Sequence, residues 1–81
     1  MLTFECDQDT QLEIYCDRDG LETLLRELIV LKERGGHAHL MTPSWAGHEL
    51  TEERQGEHTA LIHHVIIRLK PDNWEGPPKQ T

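Results

Sequence analysis

Asp19–Gly36 reads DGLETLLRELIVLKERGG. Leu21, Leu24, Leu25, Leu28 and Leu31 recur at helical spacing and form one apolar stripe. Asp19, with Glu22 three residues on, has the form of a capping box, with aspartate in the serine role. Glu22 and Arg26 make an i,i+4 pair on the polar side. Lys32 and Arg34 sit where the helix dipole favours cations, and Gly35 or Gly36 supplies the left-handed residue that ends the helix. One amphipathic helix is expected here, and its stripe requires a cover.

The flanking segments supply that cover as strands. Upstream, LTFEC and LEIYC alternate apolar and polar residues and are joined by a polar DQDT turn, which predicts a hairpin of Leu2–Asp7 and Gln11–Asp17. Downstream, HAHLMT alternates until Pro43, giving a third strand over His37–Thr42. LIHHVIIRLK gives a fourth over Leu61–Lys70. The order is ββαββ: an α+β domain with one four-stranded mixed sheet and a single helix packed on one face. A right-handed crossover through the helix makes the second and third strands parallel neighbours. Side-chain parity then assigns the core to Leu2, Phe4, Cys6, Leu12, Ile14, Cys16, Ala38, Leu40, Val65, Ile67 and Leu69, beneath the leucine stripe.

Residues 1–70 form the expected single domain, near the lower size limit for folding without staples. Within it, Pro43–Ala60 is a long acidic loop carrying Glu49, Glu52, Glu53 and Glu57 against Arg54. Residues 71–81, PDNWEGPPKQT, hold three prolines and no periodicity and are expected to be a disordered tail.

Of the 81 residues, 36% are hydrophobic and 28% charged, a globular composition. No apolar run approaches the roughly 20 residues of a membrane span, and the N-terminal stretch lacks the form of a secretion signal, so a cytoplasmic location is expected. Eight basic against fifteen acidic residues give a net charge of −7. That balance disfavours nucleic acid and anionic membranes as partners and favours a basic protein. In an antiparallel hairpin Cys6 lies opposite Leu12 and Cys16 opposite Leu2. The two thiols are then about 13 Å apart along the sheet, beyond the roughly 7 Å Cα limit for a disulfide. Both are expected to be reduced and buried.

One helix shields one side of a sheet. By parity the other side carries Thr3, Glu5, Glu13, Tyr15, His37, His39, Met41, Ile62, His64, Ile66 and Arg68. Tyr15, Met41, Ile62 and Ile66 on one face call for a cover: either the long loop folds back with Trp45 and Leu50, or a second protein binds. The stretch GGHAHLMTPSWAGHEL (35–50) lies here and concentrates histidine and tryptophan. The partner-binding candidates are therefore His37, His39, Met41, Trp45, His48, Glu49 and His64. His37, His39 and His64 are also suited to a borderline metal, which makes a small metal-binding protein or metal-dependent enzyme the alternative. A homodimer through the same face is a further alternative. HxH alone does not complete a ligand set, so no metal or other cofactor is assigned. The chain has no phosphate-binding glycine loop, serine elbow or CxxC, and no catalytic residue is assigned either.

The succession GLETLLRELIVL, GGHAHLMTPSW, GHEL and a terminal apolar strand resembles the immunity proteins of bacterial polymorphic toxin systems, in particular immunity protein family thirty-two. The pieces that carry the resemblance are Gly20-Leu21 opening the helix and His37-Ala38-His39-Leu40. It spans about Leu12–Leu69; the segment after Lys70 and the two cysteines have no counterpart in the pattern. The resemblance implies a non-catalytic protein that binds a cognate toxin and blocks it, and the net charge of −7 is compatible with a basic toxin domain as that partner.

Overall fold

The structure is a computed structural model that describes residues 1–77. Its elements are β1 (Leu2–Asp7), β2 (Leu12–Cys16), α1 (Arg18–Arg34), β3 (His37–Met41), a 3-10 turn (Pro43–Trp45), β4 (Thr59–Ile62) and β5 (His64–Arg68). No helix among the described residues is long and apolar enough to cross a membrane.

The β1–β2 hairpin has the register that its alternation requires: Leu2 faces Cys16, Phe4 faces Ile14 and Cys6 faces Leu12. Asp7 closes the turn, its Oδ1 accepting from the backbone N–H groups of Asp9 and Gln11 at 2.9 Å each. Both cysteines are free thiols.

The helix starts earlier than the capping-box pattern suggests. Asp17, not Asp19, is the N-cap: its Oδ1 accepts from Gly20 N–H at 2.8 Å. The hairpin explains this, since Asp17 N–H donates to the Met1 carbonyl and holds the residue extended at the end of β2. Gly20 is buried there because the helix passes close over the chain start; a Cβ on it would lie 1.8 Å from the Met1 carbonyl oxygen. At the far end Gly35 adopts φ 74° and donates to Leu31 O, with Lys32 and Arg34 in the last turn as expected.

The single four-stranded mixed sheet is not formed. The strands build two antiparallel sheets, one ordered β2-β1-β4 and one pairing β3 with β5. The expected fourth strand breaks at His63: Thr59–Ile62 pairs with Asp7–Phe4, and His64–Arg68 pairs with Met41–His37. The parallel pairing of the second and third strands is replaced by these antiparallel ones. The long loop supplies the physical reason. Leu50 N–H donates to Met41 O, and Thr51 N–H to Leu2 O, so residues 50–51 occupy the seam where a continuous sheet would bring a strand beside Leu2. Leu50 fills the core below this seam with Leu2, Phe4, Ala38 and Leu40, bordered by Leu24, Ile62, Val65 and Ile67. Burial of each such leucine contributes about 1.5–3 kcal/mol.

Core membership is narrower than parity implies. Leu12, Ile14 and Cys16 share the face of Phe4 but stay exposed, Leu12 by 54% and Ile14 by 47%. Cys6 is half-buried, and Leu69 is exposed. Within an unbroken strand alternation decides which side a residue faces, not how far the cover extends. Across the break at His63 the parity changes, and Ile62, expected on the outer face, lies opposite Phe4 against the core. The helix buries Gly20 and Leu31 and turns Leu24 to the core, leaving Leu21, Leu25 and Leu28 on an exposed flank.

Beyond β5 the chain turns at Pro71, whose carbonyl accepts from Trp74 N–H, and Lys70 Nζ lies 4.7 Å from the Trp74 ring centroid. The end of the expected tail, residues 78–81, lies outside the described residues.

Candidate functional site

Alternation in HAHLM turns Ala38 and Leu40 inward, Leu40 completely buried, and turns His37 and His39 outward. Register then fixes the outer face of the β3–β5 sheet. His37 lies opposite Arg68, His39 opposite Ile66 and Met41 opposite His64. The imidazoles meet on the diagonal: His39 Nδ1 is 2.8 Å from His64 Nε2, and their rings stack at 5.0 Å. His37 sets its ring edge-on to His39 at 4.7 Å.

Trp45 completes the cluster, its ring 5.7 Å from His64 and 55% of its surface exposed. Its position is built locally. Pro43 opens the 3-10 turn, Ala46 takes φ 64° to end it, and Glu52 braces it by accepting from both the N–H and the hydroxyl of Ser44. Those two bonds hold the Glu52 carboxyl below its ordinary range. Thr42, fully buried, anchors the turn to the corner between β4 and β5 through its N–H to His63 O and its hydroxyl to His63 Nδ1 at 2.7 Å. Gly47 lets the chain pass Met41, since a Cβ there would sit 2.4 Å from the Met41 carbonyl oxygen.

Of the seven expected site residues, His37, His39, Met41, Trp45 and His64 come together. His48 projects into solvent with 91% of its side chain exposed, 3.4 Å from Glu49. Glu49 is a brace: its Oε1 accepts from Met41 N–H at 2.9 Å and satisfies the β3 edge. Burial pushes its carboxyl up, but the Met41 N–H and the neighbouring His48 outweigh that and hold it low.

Sequence reasoning missed Glu5. On the face opposite the helix it is fully buried with Thr3, because the loop folds back over this half of the sheet. Its carboxylate accepts from the hydroxyls of Thr3 (2.6 Å) and Thr59 (2.5 Å) and from the N–H groups of Gln55 (3.0 Å) and Gly56 (2.9 Å). Burial raises the carboxyl, yet these four bonds prevail and hold it at about 2. The one signal in the sequence was a carboxylate placed mid-strand among apolar neighbours. Loop closure therefore covers the β1 half of the outer surface and leaves the imidazole half open.

For metal chemistry the donor set is thin. Among the described residues no three His, Cys, Asp or Glu side chains converge as ligands, and His39 and His64 each engage a ring nitrogen with the other. A separate cleft of about 410 Å³ lies between Cys6–Gln8 and the Arg54, Glu57–Ala60 segment. Arg54 there donates to the carbonyls of Glu57 and Thr59.

Compared with known protein families, residues 11–65 match the family model described as Immunity protein 32. The chain belongs to the Immunity protein 32 family. No curated protein and no solved structure matches it. The family match runs from the start of β2 into β5, and so covers the helix, β3, the braced turn and the long loop. All seven expected site residues lie within it, whereas β1, including Glu5, lies outside.

Proposed function

We propose that this immunity-family chain is a non-catalytic cytoplasmic protein that binds and neutralises a cognate bacterial toxin through the outer face of the β3–β5 sheet and the turn bearing Trp45. The observation that carries the reading is the exposed cluster of Trp45, His37, His39 and His64 on a braced scaffold. The loop has already closed over the other half of the surface, so this half is left for a partner. Aromatic side chains held rigidly at low entropic cost are the usual anchors of protein interfaces. The net charge of −7 supports long-range attraction of a cationic toxin, which raises encounter rates more than it strengthens contact.

The test is affinity for a candidate cognate toxin domain, sought in the coding region next to this chain's, measured by calorimetry. Trp45→Ala and His39→Ala should each weaken binding while circular dichroism and thermal unfolding stay close to wild type. Unchanged affinity in both variants would place the toxin-binding surface elsewhere.

A further inference from the structure

The β3–β5 sheet has only two strands, and a pair alone is marginal in water. Its hydrogen bonds show which edge is open. Thr42 N–H donates to His63 O and Leu69 N–H to Gly36 O, so positions 63, 65, 67 and 69 turn their main-chain groups toward β3. The N–H and C=O groups of His64, Ile66 and Arg68 therefore point away from it. No hydrogen bond among the described residues reaches them. The edge of β5 carries neither proline nor a bulge, the usual devices that discourage pairing. Ile66 is exposed.

The charge of this face is the inverse of the whole chain. Of fifteen acidic residues none lies among the six outward side chains, which are His37, His39, Met41, His64, Ile66 and Arg68. Glu49 and Glu52 reach only the Met41–Trp45 end, with oxygens bonded to Met41 and Ser44. The local surface is thus apolar and imidazole-rich, with one guanidinium.

We infer that the open edge of β5 accepts an extended acidic–apolar segment of the protein partner as an added antiparallel strand, with its carboxylates opposite His64 and Arg68 and an apolar residue opposite Ile66. The inference rests on the outer β3–β5 face being the binding surface. Main-chain bonds supply affinity in strand addition, and alternate side chains supply selection. Overall negative charge attracts a cationic partner from a distance, whereas this patch selects an acidic strand at contact.

The experiment uses the full chain labelled with nitrogen-15 and two blocked heptapeptides, Val-Glu-Val-Leu-Val-Glu-Val and its lysine counterpart. At millimolar peptide the acidic probe should shift the amides of His64, Ile66 and Arg68 and bind roughly fivefold more tightly than the lysine probe. Ile66→Pro deletes an outward N–H and leaves the β3 ladder intact. It should abolish the shifts while Ala38–Ile67 and Leu40–Val65 cross-strand contacts persist; Ile66→Ala should retain them. Should Ile66→Pro disturb the fold, Arg68→Glu tests the same idea by reversing the preference toward the lysine probe. Equal binding of both probes, no saturable shift, or shifts confined to the β2 edge would overturn the inference. With the cognate toxin, loss of affinity in Trp45→Ala but not in Ile66→Pro would overturn strand addition alone. Indifference to both variants would remove the surface itself.

Discussion

His39 and His64 stand diagonally across the β3–β5 sheet with Nδ1 and Nε2 2.8 Å apart, one ring donating to the other. Both lie on a sheet face whose opposite side is the core, so the pair is displayed on a rigid support rather than on a loop. Removing either ring should leave the fold intact. His39→Ala and His64→Ala are expected to change unfolding free energy by less than about 1 kcal/mol each, with the double variant less costly than their sum because one bond is shared. Urea titration of the two single variants and the double variant measures this.

Trp45 is held above His64 by the Ser44–Glu52 brace. Trp45→Ala should weaken toxin binding by about 2 kcal/mol, some thirtyfold, while stability changes by less than about 0.5 kcal/mol. Glu52→Ala releases the brace without touching the ring. It should lower affinity by a smaller factor, and comparison of the two variants by calorimetry separates contact from positioning.

Glu5 fastens the long loop to the central strand. Glu5→Gln presents an amide to four donors and should destabilise the fold by about 1–3 kcal/mol at neutral pH. The pH dependence has a fixed sign. The folded-state pKa of Glu5, about 2, lies below the ordinary 4.5. Its contribution is therefore complete above pH 4.5 and is lost as pH falls toward 2. Wild-type stability should drop across that window more steeply than that of Glu5→Gln, as measured by urea unfolding at stepped pH.

Gly20 tests the packing of the helix start. Gly to Ala inside a helix ordinarily gains about 1 kcal/mol. Here a Cβ would overlap the Met1 carbonyl, so Gly20→Ala should lose about 1–3 kcal/mol instead. Thermal melting should show a fall of about 4–8 °C for each kcal/mol lost.

Asp17→Ala should cost about 1 kcal/mol as the loss of an N-cap. Asp19→Ala removes only a first-turn charge and should cost a few tenths. Equal losses in thermal melts of the two variants would contradict the assignment of Asp17 as the cap.

Periodicity made much of this architecture readable. The hairpin register, the leucine-striped helix and the inward placing of Ala38 and Leu40 follow from local spacing, as does the outward placing of His37 and His39. The reach of the cover and the partners of distant strands do not. Leu12 and Ile14 obey their parity but lie beyond the helix, and nothing local reveals that. The break at His63 depends on Thr42, and the seam depends on Leu50 and Thr51, contacts between segments far apart in the chain. The candidate site was legible in the same measure. Strand alternation placed the imidazoles, whereas the roles of Glu49 as a brace and Glu5 as a latch depend on how the loop closes.

Nitrogen-15 chemical-shift mapping on addition of the toxin domain proposed as partner tests the binding surface most directly. The account predicts that the largest perturbations fall on His37, His39, His64, Ile66 and the Trp45 indole. Perturbations centred on Leu12, Ile14 and the Leu21–Leu28 flank of the helix, with the imidazole cluster unmoved, would contradict it.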